Sequence, residues 1–88
     1  MNEQEVIFAM RQIKQVLSRS PAAADTAKGI HDWWVGWREP APPVATTQEA
    51  LHRLQKEGLV VAVQVEGGQQ VWQTKPSTGL GAGAERLG

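Results

Sequence analysis

The chain predicts a small α+β domain in which three helices precede a two-stranded antiparallel β-hairpin. Three observations predict it. Apolar residues recur at helical spacing over residues 3–18. A second helical segment carries Leu51 and Leu54 inward and meets a glycine at position 58. Beyond it, valines alternate along residues 59–65 and a Gly67-Gly68 pair separates them from a shorter strand-like run. With 88 residues and no cysteine, the chain holds one domain at most and has neither disulfides nor thiolate metal ligands to stabilise it.

In the first helix Val6, Met10, Ile13 and Leu17 stand at i, i+4, i+7 and i+11, and Ala9 and Val16 widen the stripe. Glu3 and Glu5 lie at the positive end of the helix dipole, while Arg11, Lys14 and Arg19 favour the other end. Ser20-Pro21 terminates it, because the residue before proline is pushed out of the helical region.

After a short connection at residues 21–24, Asp25 is a natural cap for a second helix running to Trp37. Three of the four tryptophans fall in GIHDWWVGW, residues 29–37. At about 100° per residue, Ala27, Ile30, Trp33, Trp34 and Trp37 share one face, and Lys28, His31, Asp32 and Val35 take the other. Gly29, beside the stripe, permits a close approach.

The prolines of REPAPPVA make a loop. Thr46 and Glu49 have the spacing of a capping box for the third helix. The hairpin is read with a two-residue Gly67-Gly68 turn. That turn pairs Val65 with Gln70 and Val63 with Trp72, placing Val61, Val63, Val65 and Trp72 on one inward face. Residues 1–76 are thus expected to form the domain, and the glycine-rich stretch 77–88 to be a disordered tail.

The run ATTQEALHRLQKEGLVVAVQVEGGQQVWQ resembles the recognition-helix-plus-wing segment of bacterial winged-helix transcriptional regulators. The matching residues are Ala50, Leu51, Leu54, Glu57, Gly58, Leu59 and Val60, and the order of elements agrees over residues 3–75. The resemblance implies a winged-helix domain that binds duplex DNA through its third helix, with Glu66 to Gln69 as the tip of the wing. Thr46 and Thr47 would then contact phosphate, Gln48 and Arg53 would read base edges, and His52 and Lys56 would complete the DNA-facing surface.

Charge and aromatic content support a second reading. Nine basic residues balance nine acidic ones, and residues 40–76 set Arg53, Lys56 and Lys75 against Glu49, Glu57 and Glu66. Phosphate contacts by Lys and Arg supply most non-specific DNA affinity, so a neutral face suits a protein partner or a homodimer. The expected contact is the Trp-rich second helix: Trp33 and one other indole fill the core, and Trp34 and Trp37 flank the stripe as interaction residues.

No catalytic signature is present. His31 and His52 sit on different helices without ligand spacing, the serines lack a His/Asp context, and no glycines form a phosphate loop. No enzyme activity, metal or small-molecule cofactor is therefore expected. The charged, amphipathic N-terminus reads as neither a signal peptide nor a membrane span, which makes a cytoplasmic, membrane-free protein the expectation.

Overall fold

Asn2 starts the first helix: its side-chain oxygen accepts from the Gln4 amide at 2.9 Å and the Glu5 amide at 3.3 Å, satisfying two of the unpaired donors at a helix start. In the computed structural model of the chain, which describes residues 1–76, this helix, α1, spans Glu3–Arg19. The tail expected to be disordered lies outside the described residues. Four elements follow as predicted in kind, and one does not appear in the sequence reading at all. The latter is β1, Ala24–Asp25, a strand of two residues. Helix α2, Ala27–Gly29, runs on into a π-type turn at Ile30–Trp34. Helix α3 is Val44–Lys56, and the hairpin is β2, Val60–Gln64, with β3, Gln70–Thr74. The described residues therefore form an α+β domain of three helices and one antiparallel sheet, ordered β1-β3-β2.

The core lies between the helices and one face of the sheet. Val6, Ala9 and Ile13 of α1 meet Ala50, Leu51 and Leu54 of α3, and Ile30, Val35, Val60 and Trp72 close the cluster. The α1 stripe is buried as its spacing predicts, with Met10 and Leu17 packed at its margin. Gly58, at φ +80°, ends α3 in the left-handed region, and the Leu59 amide bonds back to the Leu54 carbonyl at 3.0 Å.

Three local expectations change. The second helix does not reach Trp37. Thr26, not Asp25, caps it, accepting from the Gly29 amide at 3.1 Å. Asp25 instead pairs in β1 with Trp72 of β3. The capping box at Thr46 does not form either. Pro43, extended at ψ 158°, takes the cap position three residues before Thr46, and the Thr46 amide bonds to the Pro43 carbonyl at 3.0 Å.

The third change is in the hairpin. Val65 donates to the Gln69 carbonyl at 2.8 Å across the turn Glu66–Gly68, so the loop is one residue longer than a two-residue turn. Gly67 and Gly68 do adopt positive φ, +83° and +78°. The register becomes Ala62 opposite Trp72 and Val63 opposite Val71. A slip of one residue exchanges the two faces of a strand. Val60, Ala62 and Trp72 therefore belong to the inward face, and Val61, Val63 and Val65 to the outward one.

Candidate interaction surface

The π-type turn decides which tryptophan meets solvent. Its closing bond runs from the Val35 amide to the Ile30 carbonyl, five residues back, at 3.2 Å. Such a turn takes more residues than an α-helical one, so the 100° step no longer holds. After it, Val35 is extended (φ −100°, ψ 122°) and the chain leaves the helix axis. His31 and Val35, expected on the polar side, are buried. Trp33, expected in the core, is 83 % exposed.

Trp34 and Trp37, the expected interaction residues, are instead half-buried against the core. The Trp37 indole lies between Phe8 and His31, with ring centroids 5.5 Å and 5.4 Å away. Its Nε1 is buried and meets no acceptor among the described residues. The His31 imidazole is fixed from its other side by the Thr47 hydroxyl, 2.7 Å from Nδ1. Gly29 does permit a close approach, and what approaches is a side chain: a Cβ there would collide with the Asp25 carboxylate, which already accepts from the Thr26 amide at 2.7 Å.

Two shallow grooves flank Trp37. One, of about 390 Å³, runs past His31, Trp33, Val35 and Ala41. The other, of about 400 Å³, lies between Phe8 on α1 and Pro40 and Pro42 of the loop. Gly36, Trp37 and Glu39 border both, so they share one wall. Asp32, beside Trp33, is neutralised by Lys28 at 2.7 Å. The result is an exposed indole that borders a groove of mixed polarity, with the more apolar groove on the far side of Trp37.

The face of α3 offers less. Thr46 and Thr47 are buried in the first turn, so neither hydroxyl is available to a phosphate; this corrects their expected role. Arg53 is directed toward α1. Its Nη1 and Nη2 donate to both carboxylate oxygens of Glu3, and its Nε donates to Glu49 at 2.9 Å. Those bonds to Glu3 hold its carboxyl below the usual glutamate range, and the two carboxylates raise the guanidinium still further above its ordinary value. Arg53 thus joins α1 to α3 and is not free to read a base. Gln48, His52 and Lys56 remain exposed as expected, although the His52 ring packs edge-on against Trp72, 5.9 Å between centroids.

Among the described residues, no three His, Asp or Glu side chains are grouped to hold a metal ion. No helix among them is long and apolar enough to cross a membrane. Comparison with known proteins finds nothing similar: no family model, curated protein or solved structure matches this chain.

Proposed function

We propose that this chain is a winged-helix module for protein–protein contact, anchored by Trp33. The observation that carries the proposal is the 83 % exposure of that indole on a turn that also holds the buried Ile30 and His31. A tryptophan can remove roughly 150–250 Å² from water, so covering one contributes on the order of 4 kcal/mol before the costs of association. Tryptophan is among the residue types that most often carry interface energy. The order helix, strand, helix, helix, strand, strand, with β3 between β1 and β2, supports the winged-helix part of the reading.

Duplex DNA fits the same module less well. With Thr46 and Thr47 buried and Arg53 bound to two carboxylates, Lys56 is the one fixed cation left among the residues expected to face DNA. One phosphate contact gives a salt slope near 1 and little affinity. In a backbone-amide NMR titration with random duplex at about 50 mM and then about 200 mM salt, the amides of Gln48, His52 and Lys56 are expected to stay in place at both. Salt-sensitive shifts confined to α3 and Glu66–Gln69 would contradict the proposal and return the domain to DNA reading.

A further inference from the structure

The sheet ends in an open edge. β2 pairs with β3 on one side and, among the described residues, has no strand on the other. The phase of its hydrogen bonds follows from the two bonds that frame it: Val65 donates to the Gln69 carbonyl at 2.8 Å, and Leu59 accepts from the Lys75 amide at 3.0 Å. In an antiparallel ladder, bonded pairs alternate with non-bonded ones. The odd-numbered residues of β2 therefore bond inward to β3. Val60, Ala62 and Gln64 point their N–H and C=O groups outward, away from the sheet.

Side chains along this edge are unusual for an unpaired strand. Edge strands are commonly protected by charge, proline or a bulge. Residues 59–65, LVVAVQV, contain no charge or proline, and the register from Val60 to Gln64 is continuous. Leu59 and Val65 are 43 % and 40 % exposed, and Val61 and Val63 on the same outward face are half-buried. The stretch is also self-complementary. An antiparallel copy centred on Ala62 pairs Ala62 with Ala62 and Val60 with Gln64, all through outward-pointing backbone groups. The same register sets Val61 against Val63 and Leu59 against Val65 at the closer, non-bonded positions. No charged residue lies inside the paired stretch, since Glu57 and Glu66 flank it.

From the matching bond phase and side-chain register we infer that β2 is a self-association edge: two copies of this chain pair β2 to β2 across a two-fold axis at Ala62, making one six-stranded sheet. The partner is a second copy because one register satisfies the backbone, the apolar face and the absence of charge at once, as an isologous interface requires. This surface is separate from Trp33 and does not depend on the function proposed above.

The test is sedimentation of the full chain from about 10 µM to about 1 mM, with amide hydrogen exchange at both ends of that range. The expected result is a monomer–dimer equilibrium in which exchange at Val60, Ala62 and Gln64 slows by about tenfold or more with concentration, while Val61 and Val63 are protected throughout. Leu59→Glu and Val65→Lys, both at exposed positions, should each give a folded monomer. The double variant should recover the dimer, because the register places the new carboxylate opposite the new ammonium. A monomer at the top concentration, a dimer whose Ala62 amide exchanges freely, failure of the double variant to recover, or dissociation by Trp33→Ala would each overturn the inference.

Discussion

A guanidinium carries its donors in a rigid fork, and in Arg53 that fork is committed to Glu3 on α1 while the ε nitrogen holds Glu49 on its own helix. The consequence appears in the pH dependence of stability. Glu3 has its folded-state pKa below the ordinary glutamate value, so the unfolded chain binds the proton more readily. The contribution of the pair is present above the ordinary glutamate range and is lost as pH falls through the depressed folded value. Arg53→Met should therefore flatten the fall of thermal stability between about pH 5 and pH 3. It should leave duplex affinity untouched. An unchanged acid slope would remove the clamp from the account.

The tryptophans separate by the same kind of reasoning. Trp37 packs between Phe8 and His31, and truncation leaves a gap beneath the loop. For a half-buried indole, Trp37→Ala should cost about 2–4 kcal/mol in denaturant unfolding, toward the low end for large aromatics. Trp37→Phe should cost much less, because it also removes a buried N–H that meets no acceptor among the described residues. Trp33→Ala should change stability by less than about 0.5 kcal/mol, as at other exposed positions. Equal losses at Trp33 and Trp37 would contradict the assignment of one to solvent and the other to the core.

At the scale of elements, the long helices were legible because their signals are local and redundant. The α1 stripe repeats over several turns, and Gly58 supplies the conformation that ends α3. Replacing Gly58 by alanine should cost about 1 kcal/mol in unfolding free energy, and asparagine less, since asparagine tolerates the left-handed region; an alanine variant as stable as the parent would contradict this. The elements misread were those fixed by tertiary context. β1 has no strand signal in PAAAD and exists because β3 presents a free edge to it. The hairpin register hung on one loop residue, and both candidate turns accept two glycines. In the candidate site, the concentration of tryptophan in residues 29–37 was plain, but an α-helical step assigned the wrong indole to solvent. Nothing in IHDWW announces a π-type turn, and its five-residue closure rotates Trp33 outward while drawing His31 in.

Considered whole, the molecule commits three of the eight lysines and arginines among the described residues to internal pairs. Lys14 meets Glu57, Lys28 meets Asp32, and Arg53 meets Glu3 and Glu49. Exposed pairs of this kind contribute little stability individually, but each removes a cation from the set that could meet phosphate. Beside the remaining charges the surface presents apolar groups: Trp33, and Leu59 with Val65 along the sheet edge. Both proposals place protein contacts on these apolar groups.

The central claim, that Trp33 anchors a protein contact, is tested most directly by placing a photo-crosslinking amino acid at position 33, and in a parallel variant at His52, in cells that produce the protein. Irradiation should yield a discrete protein adduct from position 33 and none from position 52, with the adduct mapping to an apolar segment of the partner. A nucleic-acid adduct from position 52 together with none of any kind from position 33 would contradict the claim.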